Sequence, residues 1–248
     1  ISQWFEDHLA DTGPDFKSNR KKLLQYEEYL NSSFITTHPS SLDFIKNNKK
    51  YSYLPIPVDK NIENLKVYEK TNQISDVFFS MSHGVNRGKL KRDKEDERHN
   101  FITDLINFCP NIIFDIYGYK NREPVWADDF YKVIVNSKMA LNLSRGKPLK
   151  YLTSNRIASL IGNGLLTFID RKTKLDNFFD DDEVIFYNNL KDLANKLNYF
   201  KSNDKKRIQV ARQGRKRYFD LFECQKVSDY IISKSFNRKP NYKINWMD

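Results

Sequence analysis

The sequence predicts an α/β fold: a Rossmann-like parallel sheet with helices on both faces, preceded by part of a second α/β unit. Three observations carry this expectation. Five apolar runs of strand length fall between residues 76 and 188. Segments with helical spacing separate them, which is the pattern of a helix-covered parallel sheet. The first 58 residues show a shorter alternation of their own, closed by the two prolines of "LPIPVD". Those prolines disfavour helix and mark an extended linker.

Taken in order, "ISQWFEDHL" reads as a strand end and loop, "KSNRKKLLQYEEYLNS" as a helix and "SFITTH" as a short strand. "SSLDFIKNN" reads as a short helix and "YSYLPIPVD" as an extended linker. The larger unit opens on the strand "DVFFSMS" (76–82), then the helical "HNFITDLINF" and the strand "NIIFDIYG" (111–118). "WADDFYKVIVNS" reads as a helix with Phe130, Val133 and Ile134 on one face, and "MALNLS" (139–144) as a strand. In "NRIASLIGNG", Ile157, Leu160 and Ile161 form a buried stripe. Ser154 suits the N-cap of a helix over 155–161. Gly164 permits a tight turn into the strand "LLTFID", and Gly162 and Gly164 dock the helix on the sheet. "EVIFYN" (183–188) is the last strand. "LKDLANKLNYF" then places Leu190, Leu193, Leu197 and Phe200 at helical spacing. After Asn203 the chain is helical and basic. This reading divides the chain into 1–58, an end of one unit plus linker; 59–228, the larger unit; and 229–248, a basic tail.

The bulk numbers fit an ordered protein. Of 248 residues, 39% are hydrophobic and 14% aromatic, which argues against disorder. The net charge is +10. It points either to an anionic partner or to a lysine-rich solvated surface. Cys109 and Cys224 lack metal-like spacing, so a reducing, cytoplasmic setting is expected. No run approaches the ~18 apolar residues of a membrane span. The tail "SFNRKPNYKINWMD" mixes basic and aromatic residues. It makes a peripheral contact with the inner face of an anionic membrane an alternative.

Ligands of such sheets bind beyond the carboxyl ends of the strands. Two loops there are cationic. "HGVNRGKLKR" carries Arg87, Lys89, Lys91 and Arg92 among glycines. "RGKPLKYLTSNR" carries Lys147, Lys150 and Arg156 at the front of a helix. The helix dipole and its unpaired N–H groups favour an anion there. Two such loops at one sheet edge would cradle a diphosphate, with Arg87, Lys89, Lys147, Ser154, Asn155 and Arg156 as its contacts. Tyr117 and Gly118 either line a base pocket or pack a strand end. Asp180, Asp181 and Asp182 precede a strand instead of following one, so they read as a turn and not as a metal site. His38, His83 and His99 have no ligand spacing.

The order of these motifs resembles the donor-binding domain of GT-B glycosyltransferases. It is nearest the group 1 and spore-maturation-protein-like branch. "NRIASLIGNGLLTFID" is similar to the family's R-x-x-E-A-x-A-x-G helix and following strand, with Arg156, Ile157 and Gly164 matching. "DDEVIFYNNLKDLANKL" and "ARQGRKRY" continue the likeness, which spans roughly residues 50 to 230. The resemblance implies a nucleotide-sugar-dependent transferase that needs no cofactor. A nucleoside-diphosphate sugar is its co-substrate, a hydroxyl its acceptor, and glycan or cell-surface polysaccharide synthesis its setting. It implies that residues 1–58 end an acceptor-side domain, of which about a hundred further residues would precede Ile1. Glu6, Asp7 and His8 in "WFEDHLADTGPD" are then candidates for the base that takes the acceptor proton; the alternative is an acidic surface loop. Retaining members carry two glutamates eight apart. Tyr151 and Ser159 stand at those positions, which leaves retention and inversion both open and makes Tyr151 a candidate donor contact. The competing readings are a non-catalytic Rossmann-like binding module and a nucleic-acid-binding protein using the run "KKRIQVARQGRKR". No nucleic-acid motif supports the latter.

Overall fold

A computed structural model of the chain describes residues 1–11, 15–46, 48–82, 85–86, 89–90 and 97–246. Two parallel sheets organise it. The first contains β1 (Ser2–Phe5), β2 (Ser32–Ile35) and β3 (Tyr51–Tyr53), in that order. Helix α1 (Phe16–Leu24) links β1 to β2. Leu9, Leu23, Ile35 and Tyr51 pack between α1 and this sheet. The extended linker thus begins as a third strand. Among the described residues the helix expected in "SSLDFIKNN" is absent: 3-10 turns at Pro39–Ser41 and Asn48–Lys50 stand at its two ends. Pro39 fixes the first turn, and Leu42 and Ile45 point into the core without a helical register.

The second sheet has five strands. In chain order these are β4 (Ser75–Ser80), β7 (Phe114–Tyr117), β8 (Ser137–Asn142), β9 (Leu166–Asp170) and β10 (Ile185–Tyr187). The spatial order is β10-β9-β8-β4-β7, with parallel pairing throughout. A short antiparallel hairpin of β5 (Val85–Asn86) and β6 (Lys89–Leu90) follows β4. All five expected apolar runs are strands of this sheet. Their alternation places successive residues on opposite faces. Val77, Phe79, Met139, Leu141, Leu166 and Phe168 face α2 (Glu97–Phe108) and α5 (Leu190–Ser202). Phe78 and Ala140 face α3 (Ala127–Ile134) and α4 (Arg156–Gly162). Both faces are therefore covered, which is why these strands read as near-continuous apolar runs.

The C-terminal part is two helices, α6 (Asp204–Phe222) and α7 (Cys224–Ser235), broken at Glu223. The break occurs where Val58 of the linker crosses: Val58 N–H donates to Phe222 O, and Cys224 N–H to Val58 O. Helix α7 then returns to the first unit. Tyr230 and Trp246 are buried in one cluster with Phe34 and Val58. The division at 229 therefore falls inside a helix, and beyond that helix Trp246 is buried while most of 236–245 is exposed.

The basic run of α6 is largely committed to the fold. Arg207 is buried against Asp204 and donates to Lys138 O. Arg215 donates to the carbonyls of Gly162 and Glu63, and Arg217 to that of Phe178. Arg212 lies over the Tyr68 ring. These four arginines hold carbonyls and rings in place, so the run has a structural role in the fold. Among the described residues, no helix is long and apolar enough to cross a membrane.

Helix α6 lies so close to the turn before β10 that a Cβ on Gly214 would run into the carbonyl oxygen of Glu183. Gly214→Ala should cost about 2 kcal/mol through overpacking. For a chain of this size that lowers Tm by roughly 4–8 °C, measurable by differential scanning calorimetry.

Candidate active site

The front of α4 sits where the carboxyl ends of β4 and β8 diverge, and it forms a wall shared by two cavities. The first is a cleft of about 290 Å³ between the two sheets. Glu6, Asp7 and His8, just beyond β1, line one side. Ser144 and Arg145, just beyond β8, line the other with Thr153–Arg156. Arg98, from the first turn of α2, completes it. The second cavity, about 470 Å³, lies between α3 and α4. Ser80 and Ser82 at the end of β4, then Trp126, Phe130 and Tyr131, face Ser154, Asn155, Arg156 and Ser159 across it.

Electrostatics of the cleft are set by guanidinium groups. Arg98, Arg145 and Arg156 all line it. Arg98 is buried. Arg156 donates from Nη1 to Leu143 O at 2.9 Å, and its guanidinium lies 5.0 Å from the centre of the Phe79 ring. Both contacts fix its direction. Among the described residues, the hydroxyls of Thr153 and Ser154 are buried with no hydrogen-bond partner. Buried hydroxyls are usually satisfied, so an unsatisfied pair beside cations marks a place for a polar ligand.

His8 closes the cleft from the first unit. Its Nδ1 accepts from the Ala10 N–H at 3.2 Å. The neutral ring therefore carries its proton on Nε2. That atom is buried without an aligned partner among the described residues. The His8 pKa is lowered, chiefly by burial. The charges of Arg145 and Arg98 add to this, against the nearby backbone of Arg145 and the carboxylate of Glu97. His8 thus lines the cleft as a neutral ring with its proton on Nε2, beside the backbone of Arg145. Of the other two candidates, Asp7 lies 3.6 Å from Lys22, and Glu6 is exposed at the cleft edge.

The sequence-based candidates separate into two groups. Glu6, Asp7, His8, Ser154, Asn155 and Arg156 come together in the cleft. Ser154 does so one residue out of its expected role: α4 starts at Arg156, Asn155 is the boundary residue, and the Ser154 hydroxyl caps nothing. Tyr151 does not line either cavity. Its ring is buried among Tyr53, Phe178 and His38, and its hydroxyl accepts from Asn177 Nδ2 at 2.8 Å. Tyr117 and Gly118 end β7, an edge strand away from the cleft. Arg122 stacks on the Tyr117 ring at 3.6 Å, and a Cβ on Gly118 would strike the carbonyl of Met81. Both residues therefore pack the strand end, the second of the two readings that the sequence allowed. Lys147 lies in the loop after β8 but lines neither cavity. Of Lys89 only the backbone is described, paired with Asn86. Arg87 lies outside the described residues.

Two cleft arginines escaped sequence reasoning. Arg145 directly follows the run "MALNLS", so strand-end position could have found it. Arg98 sits in the charged stretch "EDERHN", and nothing in that composition separates it from solvated neighbours.

Lowering the pKa of His8 has a thermodynamic signature. The unfolded chain takes up the His8 proton near ~6.5, and the folded chain only at lower pH. The associated stability is fully present above the unfolded value and is lost as pH falls from there through the folded pKa. His8→Asn keeps an acceptor for the Ala10 N–H without titrating. Urea unfolding between pH 7.5 and 5 should show a smaller loss of stability for this variant than for the parent.

Comparison with known proteins places this geometry. Residues 97–233, more than half of the chain, match the model of the family described as glycosyl transferase-like. No curated protein sequence matches the chain. Several solved structures do. HepE of Anabaena, solved with UDP and glucose, is 12% identical with a TM-score of 0.66, over 95% of this chain and 71% of that one. TarM of S. aureus, solved with Fondaparinux, alpha-GlcNAc-glycerol and UDP, is 13% identical with a TM-score of 0.62. The match covers 94% of this chain and 50% of that one. A DNA-modifying β-glucosyltransferase is 15% identical with a TM-score of 0.53, over 96% and 74%. These likenesses establish the GT-B fold. Together with the family match, they show that the chain belongs to the glycosyl transferase-like family.

Proposed function

We propose that the chain transfers a sugar from a nucleoside-diphosphate sugar to a hydroxyl acceptor. The observation that carries this reading is the front of α4, shared by a guanidinium-lined cleft and an aromatic cavity. A diphosphate lies in the cleft against Arg98, Arg145, Arg156 and Ser154. The nucleoside occupies the larger cavity, between Trp126, Phe130 and α4. The sugar projects toward His8, whose Nε2–H donates to one of its oxygens. The acceptor enters beside Glu6 and Asp7. Residues 1–58 serve as the acceptor-side wall and linker, and 59–228 as the donor-binding part.

In this arrangement the bond between the anomeric carbon and the phosphate oxygen breaks, and the electron pair leaves with the nucleoside diphosphate. Negative charge grows on the phosphate oxygens as it does so. Guanidinium groups already fixed in place stabilise that state more than the ground state. The acceptor oxygen bonds to the anomeric carbon, and its proton passes to a carboxylate at the cleft edge, Glu6 in preference to Asp7, which faces Lys22 at 3.6 Å. A glycan acceptor and a place in glycan synthesis, in the manner of the spore-maturation-protein-like branch, complete the reading. UDP is the first nucleotide to test, because HepE and TarM were solved with it.

Calorimetric titration with UDP, GDP, ADP and CMP should show binding of at least one diphosphate. Arg156→Met should weaken that binding by roughly 10- to 100-fold, the worth of one charge-assisted hydrogen bond. Absence of binding by every nucleotide would remove the proposal.

A peripheral membrane contact at the cytoplasmic face belongs to the same reading. Ile232 and Phe236 are exposed near Lys234, Arg238 and Lys239. Basic and apolar residues side by side suit an anionic bilayer surface. Phe236→Ser should reduce co-sedimentation with phosphatidylglycerol-containing liposomes, with no effect on neutral ones.

A further inference from the structure

The loop between β8 and α4 crosses to the first unit before it reaches the cleft. Leu149 packs against the core of that unit. Both backbone groups of Lys150 are bonded to the loop after β2. Its carbonyl accepts from the His38 N–H at 2.8 Å and from Thr37 Oγ1 at 2.9 Å, and its N–H donates to Ser41 Oγ at 3.2 Å. Thr37 is buried. One residue later the partners change unit: the Tyr151 N–H donates to Thr173 O of the larger unit at 2.7 Å. The change coincides with a φ of +62° at Tyr151, a left-handed conformation disfavoured for a bulky side chain. Rings of His38, Tyr53 and Phe178 pack on Tyr151 with centres 5.4, 5.1 and 4.5 Å away. Surroundings of this kind are what keep a disfavoured backbone in place. Leu152, Thr153, Ser154, Asn155 and Arg156 follow directly and line the cleft.

We infer that Thr37 and Tyr151 are positioning residues for the Ser154–Arg156 wall of the cleft: the first unit, gripping Lys150 through Thr37, sets where those side chains stand. The inference rests on the reading of the cleft as a diphosphate site, and neither positioning residue touches the ligand. The left-handed turn at Tyr151 swings the chain from one unit to the other, three residues before Ser154. Little slack separates the two. The Leu152 N–H bonds Leu149 O at 3.1 Å, and the Ile157 N–H bonds Ser154 O at 2.9 Å. A displacement of Lys150 is therefore passed on to Ser154 and Arg156. Charge-assisted hydrogen bonds depend closely on distance and direction, so such a displacement weakens the hold on an anion. The anion site is thus built by both units, although every residue that touches the diphosphate in this reading belongs to the larger one.

The test is a double-mutant cycle read by calorimetric titration of the full chain with whichever of UDP, GDP and ADP binds tightest. Thr37→Val keeps the shape of the side chain and removes one donor, while Lys150 O retains the His38 N–H. Affinity should fall by roughly 3- to 10-fold, the worth of one neutral hydrogen bond. Thr37→Ser restores the donor and should bind like the parent. In an Arg156→Met background the effect of Thr37→Val should shrink, because a group that Thr37 positions is gone. Melting curves establish that the variants are folded. Ser41→Ala removes the acceptor of the Lys150 N–H and takes the place of the valine variant should that one not fold. Parent-like affinity of the variant, a loss that Thr37→Ser shares, or a loss that adds in full to that of Arg156→Met overturns the inference and leaves the diphosphate reading intact. Failure of all three nucleotides to bind the parent overturns both.

Discussion

The linker between the two sheets is held along its whole length, and the site depends on that hold. Ile56 O accepts from the buried Tyr218 hydroxyl at 2.9 Å. Val58 bridges to the α6–α7 break. The Asn163 side chain accepts from the Leu65 N–H, and its backbone carbonyl accepts from Val67 N–H. Buried backbone groups must find partners, and a segment with two prolines cannot find them in a helix of its own. It finds them on α4 and α6 instead. Both walls of the cleft are thereby fixed: the first sheet that carries Glu6–His8, and α4 that carries Ser154–Arg156.

Much of the larger sheet was legible because burial on both faces leaves a plain trace. "MALNLS" and "LLTFID" are mostly apolar on both faces, and no solvated face interrupts them. The glycines of "IGNG" were legible as close packing but not as to what they meet. Gly162 admits Glu63 and Val58, and Gly164, at positive φ, lies against the Tyr68 ring. Those partners come from residues 58–68, about a hundred residues earlier, and not from the sheet. Periodicity reports that a helix face is buried; it does not name the segment that covers it. Tyr151 illustrates the same limit. Its place in the motif suggested a ligand contact, while its surroundings, Tyr53 and Phe178, are set by tertiary packing.

Charge was the least informative signal. In the densest basic run, in α6, three arginines serve as fastenings: Arg207, Arg215 and Arg217 each donate to a carbonyl of another segment. The cleft instead draws on Arg98, Arg145 and Arg156, from two separate stretches. A guanidinium serves both purposes because it has five donors in a rigid fork and is weakly hydrated. Local density of positive charge therefore does not distinguish a ligand site from a fastening. Only position relative to the strand ends does, as Arg145 shows.

The break at Glu223 has a mechanical meaning. The chain passes from the first unit to the second along the linker and comes back as α7. These two crossings touch at Val58 and Glu223, where they are paired in parallel. Two crossings joined side by side act as one axle. Twisting of one unit on the other would shear that pairing, whereas bending across it leaves the pairing whole. The two backbone hydrogen bonds of Val58, one to Phe222 O and one from Cys224 N–H, thus tie the linker and the returning helix together at one point.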